Sequence, residues 1–398
     1  MHGTIETLFQ VERRPLAGLA PLAEDWRALA AHAIEPNAFF EPAFALAAAP
    51  TFGPHAEVFL VWTRQTPAKL VGLFPCVIER RYGIPPRVLE GWSHPFAPLG
   101  TPLIDRDVPE GVIAAWLDHV AGDRALPSVV LLPKLAVEGP FVAALDRVQA
   151  RRGASKTDFD LHRRALLMPG ADRAGYLARA LGAKHRKELP RRRRRLNELG
   201  VVTHDIAVEE PDILPALDCF FALEASGWKG RAGTAATQRD ELREFFNAAI
   251  TELAREGKAR IDLMRLDGKP IAVTVALRSG DMMFGWKTAY DEAFAKYSPG
   301  ALLMLDLSEA MLADESVVAM DSCAVANHPM IDHLWSERRA IADRLFAARP
   351  ERRVTFAVAR RLESLRRSGI AYAKAMRDRL VRRARPQARV TPSPAADA

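Results

Sequence analysis

The chain has 398 residues, 49% of them hydrophobic, with 56 Lys and Arg against 49 Asp and Glu for a net charge of +7. It is too long for one ordinary core and suits two domains of roughly 100–200 residues each. No long uncharged apolar run occurs, and the start, Met1-His-Gly-Thr-Ile-Glu6, lacks the basic-then-apolar order of a signal peptide, so a soluble, cytoplasmic protein is expected.

Cys76, Cys219 and Cys323 lie far apart with no histidine at ligand spacing beside them, which argues against a disulfide scaffold and a zinc site; no metal is expected. The basicity is local. Between Arg349 and Arg389 there are 14 Lys and Arg against three Asp and Glu, a net of +11 that leaves about −4 on the rest. The positive charge therefore belongs to a tail.

In chain order, apolar periodicity predicts helices over Leu22–Ala31 and Phe44–Ala49, then strands over Val58–Trp62 and Lys69–Ile78. Periodicity lapses from Arg151 to Asp160. A strand is expected over Leu161–Met168, followed by a basic helix over Tyr176–Leu199. Helices over Ile213–Glu224 and Asp240–Arg255 then precede strands over Ile261–Leu266, Pro270–Leu277 and Met282–Trp286, with a turn at Asp267-Gly268. The order of helices, strand, turn and strand thus occurs twice, about 200 residues apart, and predicts a tandem of two related α/β units. The expected divisions are 1–155, 156–348, a basic amphipathic helix within 349–386 and a disordered tail over 387–398.

The most informative stretch runs from Phe284 to Leu303, where a strand end, a polar loop and a helix start follow one another. Ser298 is placed to cap that helix, Pro299 to open it and Gly300 to let a ligand approach the backbone. Unpaired N–H groups at a helix start attract anions. The competing reading is an ordinary Ser-Pro cap.

Two segments, Leu223-Glu-Ala-Ser-Gly-Trp-Lys-Gly-Arg-Ala-Gly-Thr-Ala235 and Trp286-Lys-Thr-Ala-Tyr-Asp-Glu-Ala-Phe-Ala-Lys-Tyr-Ser-Pro-Gly300, together resemble GNAT-type acyltransferases of the CelD/BcsL, cellulose-biosynthesis-type group, relatives of the FemAB peptidyltransferases. The resemblance covers roughly Leu161 to Ala340, with a looser echo before it. It implies tandem GNAT-like units, each an α/β (α+β) unit with a mixed, mostly antiparallel sheet flanked by helices. It further implies a non-catalytic first unit and a second that passes an acetyl or other acyl group from acyl-CoA to an amine or hydroxyl. The acceptor class is a small molecule, saccharide or peptide, in envelope or exopolysaccharide synthesis. Two departures stand out. The GNAT pyrophosphate loop carries more glycines than Lys296-Tyr-Ser-Pro-Gly-Ala301, and the second unit ends on Met320-Asp-Ser-Cys-Ala-Val-Ala-Asn-His-Pro-Met-Ile-Asp-His-Leu-Trp335 in place of the pattern of many relatives.

Acyl transfer needs a hold on the donor, a base and oxyanion donors. The helix start Tyr297, Ser298, Pro299, Gly300 and Ala301, with Lys296 adding a charge, is the candidate acyl-CoA site, and Glu224, before a glycine-rich loop, and Asp291, just after the central strand, are the candidate bases. Trp228, Lys229, Trp286, Lys287 and Tyr290 are candidate acceptor contacts, with Asp321, His328 and His333 a second polar wall. Cys323 has no histidine fixed beside it, and direct transfer needs no covalent intermediate. Bland readings stand beside these: Glu224 a solvated helix residue, Asp291 a turn former, the tryptophans core. The run Lys184-His-Arg-Lys-Glu-Leu-Pro-Arg-Arg-Arg-Arg-Arg195 lacks interleaved aromatics, so nucleic acid is not expected; it reads as a solvated helix or, next, a contact for an anionic acceptor. Two alternatives remain open, a FemAB-like transferase using charged tRNA and a degenerate, non-enzymatic scaffold. The C-terminal helix has a choice of docking on the protein, binding a partner or touching anionic lipid, though its few large apolar residues argue against stable anchoring.

Overall fold

In the second half, strands β9 (Ala259–Leu266) and β10 (Lys269–Ser279) turn at Asp267-Gly268, where both residues have positive φ, +48° and +78°. That geometry is what an Asp-Gly hairpin supplies. Alternate residues diverge: Ile261, Leu263, Val273 and Val275 pack on one face, Met264, Leu266 and Ala276 on the other. A sheet buried on both faces reads as a near-continuous apolar run, which explains these strands. The computed structural model describes residues 8–227, 231 and 239–384.

The elements of the first half are β1 (Phe9–Pro15), α1 (Ala23–Ala31), α2 (Pro42–Phe52), β2 (Glu57–Thr63), β3 (Leu70–Glu79), β4 (Val88–Gly91), β5 (Leu103–Ile104), α3 (Pro109–Gly122), β6 (Val129–Ala136), α4 (Pro140–Arg152) and β7 (Lys156–Leu167). Next come α5 (Tyr176–Ala180), α6 (Ala183–Asn197), β8 (Val202–Ala207), α7 (Glu210–Ser226) and α8 (Asp240–Arg255), then β9 and β10. The remainder is β11 (Met282–Tyr290), α9 (Pro299–Ala313), β12 (Ala319–Asp321), β13 (Glu337–Ala347) and α10 (Arg353–Ala384). The single basic helix expected over Tyr176–Leu199 is instead two, broken at Leu181-Gly182, where Leu181 leaves the helical region with ψ 123°.

All but β5 lie on one path, β1-β2-β3-β4-β6-β13-β7-β12-β11-β10-β9-β8, and β5 pairs with β3. The halves repeat: four antiparallel strands, β1 to β4 and β8 to β11, a helix, then a strand parallel to the fourth, as β4 pairs with β6 and β11 with β12. Their last strands are exchanged. β7, at the end of the first half, pairs with β12, and β13, at the end of the second, pairs with β6; β7 and β13 also pair with each other.

A buried chain of charges crosses this junction. Arg164 of β7 and Arg339 of β13 donate to Asp321 Oδ2 at 2.6 and 2.9 Å, and Arg339 also reaches Glu35 at 2.5 Å. Arg164 donates as well to the Pro98 carbonyl at 2.8 Å, so both contacts of the first half are tied to the end of β12. Helix α10 docks through Phe356 and Ala359 on Val88, Val129, Leu131 and Leu345. No helix among the described residues is long and apolar enough to cross a membrane. The tail over 387–398 lies outside the described residues.

Candidate active site

Strand β12 is three residues long, so its parallel pairing with β11 stops at Phe284↔Asp321 while β11 runs on to Tyr290. The strands part there. A cavity of about 720 Å³ opens between Gly285, Lys287 and Thr288 of β11, the turn Ser322-Cys323-Ala324, and the start of α9. At its mouth the β10–β11 register shifts between Val275 and Ala276, making Trp286 the extra residue of a β-bulge. A bulge leaves its extra residue outside the ladder and re-aims the strand.

The start of α9 only partly follows the sequence expectation. Pro299 does open the helix and Ser298 is its N-cap residue, but Ser298 lies in the left-handed region (φ 54°) and its side chain caps nothing. Its hydroxyl accepts from Arg192, and its carbonyl takes the N–H groups of both Ala301 (3.0 Å) and Leu302 (3.1 Å). Pro299 has no N–H, which leaves that of Gly300 as the open first-turn donor among the described residues. A Cβ on Gly300 meets Tyr290 Cδ1 at 3.4 Å, an ordinary contact, so its packing accepts a side chain that points toward the cleft wall.

What the backbone lacks, α6 supplies. Glu188, Arg191, Arg192 and Arg195 recur on one helical face and line a second, polar cavity of about 440 Å³ with Lys296 and Tyr297; Arg192 lines both cavities. The opposite side docks, with Leu189 and Leu196 buried and Arg193 donating to Asp306 at 2.5 Å. Sequence reasoning read Arg192 only as part of the basic run Lys184–Arg195, a solvated helix or a contact for an anionic acceptor, and did not single it out. The signal was available in the spacing of 188, 191, 192 and 195 against 189, 193 and 196.

On the other side of β11, Glu224 of α7 lines a small cavity of about 50 Å³ with Gly227, Thr288, Tyr290 and Glu292. Thr288 and Tyr290 belong to both this cavity and the large one, so the end of β11 is the partition between them. Lys287 Nζ lies 4.5 Å from the Phe96 ring centre. Trp286 packs in the aromatic core and donates to the Phe96 carbonyl of the first half at 2.8 Å.

Other named residues fall elsewhere. Asp291 caps the turn Glu292–Tyr297, accepting from Ala293 N at 3.0 Å, and holds Lys269 at 3.2 Å. Asp321 lies under the cleft, fully buried; burial opposes its charge, but Arg164 and Arg339 hold its carboxyl below the usual range. Its Oδ1 accepts from Cys323 N at 2.9 Å and so shapes the left-handed turn at Cys323 that floors the cavity. It is placed to support the cleft wall and not to touch an acceptor. His333 stacks on His185 at 4.7 Å, and His185 and His328 line the cavity. Burial lowers the basicity of both lining imidazoles and pushes the Cys323 thiol up, which disfavours a thiolate nucleophile. Pro299 is buried at the helix start. Trp228 and Lys229 lie outside the described residues. In the first half His32, Asp105 and Asp107 converge, but Lys69 Nζ already holds Asp105 at 2.6 Å and His32 holds Asp107 at 2.8 Å, which makes the group an ion-pair cluster.

Residues 183–326, from α6 to the turn after β12, match the family model of the acetyltransferase (GNAT) domain. Among solved structures the chain is similar to FemX (9% identity, 81% of this chain and 95% of that one, TM-score 0.56). It is also similar to a conserved protein of unknown function from Bacteroides thetaiotaomicron (12% identity, 82% and 96%, TM-score 0.51). A third is the C-terminal DUF2156 domain of an Agrobacterium fabrum protein named after lysylphosphatidylglycerol synthetase (11% identity, 85% and 95%, TM-score 0.51). No curated protein sequence matches. At such identities the structural likeness is one of fold. The chain is a tandem of GNAT-like units carrying a C-terminal helix, and its second unit is acyltransferase-like.

Proposed function

We propose that the second unit transfers an acyl group from acyl-CoA directly to an amine or hydroxyl acceptor. The observation that supports this best is the parting of β11 and β12 beside the start of α9. It creates a cleft whose volume lies within the range of small-molecule sites and which continues past Arg192 into a groove lined by Arg191, Arg195 and Lys296. The narrow cleft suits a pantetheine arm and the groove suits phosphates. The apolar neighbours Met304, Leu189 and Ile331 fit an acyl chain.

In this reading the acceptor approaches from the α7 side, and Glu224 takes its proton as nitrogen or oxygen attacks the thioester carbonyl. The unpaired backbone of the Trp286 bulge stabilises the oxyanion, and the C–S bond breaks as the thiolate leaves and takes up a proton. The acceptor is a small molecule, saccharide or peptide, and membership of the CelD/BcsL group would place it in envelope or exopolysaccharide chemistry. Asp291 is the weaker candidate base because its carboxylate is committed to a turn and to Lys269.

The likeness to FemX and the arginine-lined groove favour one second reading, aminoacyl transfer from charged tRNA. The test is a transfer assay with radiolabelled acetyl-CoA, longer acyl-CoAs and aminoacyl-tRNA, each against amine, sugar and peptide acceptors. Turnover from an acyl-CoA that falls at least about 100-fold in Glu224→Gln is expected. Turnover from aminoacyl-tRNA alone would overturn the acyl-CoA assignment.

A further inference from the structure

The long C-terminal helix has no part in the cleft. At about 1.5 Å per residue its 32 residues span roughly 48 Å. Its docked face, Phe356, Ala359, Glu363 and Arg367, ends in buried ion pairs: Glu363 accepts from Arg81 at 2.8 Å and from Arg367 at 2.6 Å. One turn on, Ile370 on the same face is already 54% exposed, and every residue from Ser368 to Arg377 is exposed. The helix leaves the body of the protein there.

What it carries outward has a pattern. Leu365, Tyr372 and Met376 recur at seven and four residues on a face distinct from the docked one, and are 56%, 69% and 37% exposed. Arg361 and Arg379, both exposed, flank this stripe around the helix, Arg366 and Arg377 lie further round, and over 368–384 the sequence holds five Lys and Arg against one Asp. Most helical stability in proteins comes from packing of an amphipathic face, so a stretch that projects into water gains from a surface that covers one side.

We propose that the solvent-facing side of α10 lies on an anionic lipid surface, Arg361 and Arg379 against the headgroups and Leu365, Tyr372 and Met376 at the acyl boundary. Charge complementarity selects this occupant. A second copy of the same face would bring like charges together, and a nucleic acid would leave the apolar stripe uncovered. With so few large apolar residues the attachment is reversible and salt-sensitive, as a polybasic amphipathic helix without a lipid anchor should be.

The experiment is co-sedimentation of the full chain with vesicles of phosphatidylcholine alone and of equal parts phosphatidylcholine and phosphatidylglycerol, at low and high salt. Binding to the anionic vesicles only, reversed by salt, is expected. At about fivefold per basic residue, the Arg361→Glu/Arg379→Glu variant should lose roughly a hundredfold or more in partitioning. Tyr372→Ser/Met376→Ser should weaken binding with the charges intact. All these side chains are exposed, so circular dichroism should show the fold unchanged. Equal partitioning to both vesicle types, or to neither, would overturn the proposal. So would a dimer abolished by Met376→Ser, or retention on mixed RNA but not on vesicles that is lost on charge reversal.

Discussion

Helices α3 and α9 occupy the same place in the two repeats, each after the fourth antiparallel strand and before the strand parallel to it, and each opens on proline. The next residue differs. In α3 it is Glu110, whose carboxylate already engages Arg147 and Arg151 of the first half. In α9 it is Gly300. The space beside them differs too. After β4, the loop 92–100 is tied down on β6 by Gly100 N to the Lys134 carbonyl (3.0 Å) and by Lys134 Nζ to the carbonyls of His94 (3.1 Å) and Ala97 (2.8 Å). After β11 the chain turns away and leaves the cavity. One architecture thus gives a closed helix start that carries an ion-paired acid and an open one walled by arginines, so the candidate site is marked by what is missing at Gly300 as much as by what α6 adds.

The largest effect is expected where the two halves meet. Asp321→Leu leaves Arg164 and Arg339 facing each other without their carboxylate, and removing one partner of a buried charge group costs about 3–5 kcal/mol; chemical denaturation measures it. An unchanged midpoint would mean that the network does not join the halves. Next, Arg192→Gln should weaken acyl-CoA binding roughly tenfold by calorimetry, as expected for loss of a charge-assisted contact, with little change in Tm.

A smaller effect concerns the loop that closes the first repeat. His94 is buried among Phe52, Phe44 and Trp92 with neither ring nitrogen hydrogen-bonded to a described residue, and burial, then Lys134 and Lys287, lower its pKa from 6.5 to about 3. The unfolded chain therefore binds a proton that the native chain refuses. The stability difference is absent above pH 6.5 and grows as pH falls toward 3. His94→Phe should flatten that dependence in thermal melts taken across the range, and an unaltered slope would assign it to other groups. The smallest change is Glu110→Gln, which removes surface ion pairs worth under about 1 kcal/mol and should barely move Tm.

Much of the second repeat was legible in the sequence. Apolar alternation over Ile261–Leu266 and Pro270–Leu277, the Asp267-Gly268 turn and Pro299 each fix local structure by a local rule, and the structure follows them within a few residues. The strand exchange was not legible. β13 carries Arg338, Arg339, Asp343 and Arg344, a pattern that reads as surface until Arg339 meets Asp321 and Glu35, and Arg344 meets Asp158 at 2.7 Å. Long-range pairing cancels those charges, and no single segment announces its partner. The candidate site divides the same way. The position of Ser298-Pro299-Gly300 beside β11 came from a strand-to-helix junction. The turn of Ala301 and Leu302 onto the Ser298 carbonyl, and the arrival of Arg192 from more than a hundred residues away, came from packing.

The most direct measurement transplants the acid of the first repeat into the second. Calorimetric titration with acetyl-CoA should show binding to the wild-type chain and about a hundredfold loss in Gly300→Glu, because a carboxylate in the cleft that Arg192 shares with the phosphate groove repels the anionic donor. A Cβ at Gly300 meets Tyr290 at an ordinary 3.4 Å, and circular dichroism of the variant establishes that it is folded before its affinity is read. Equal affinity in the folded Gly300→Glu protein would contradict the account and place the donor away from α9.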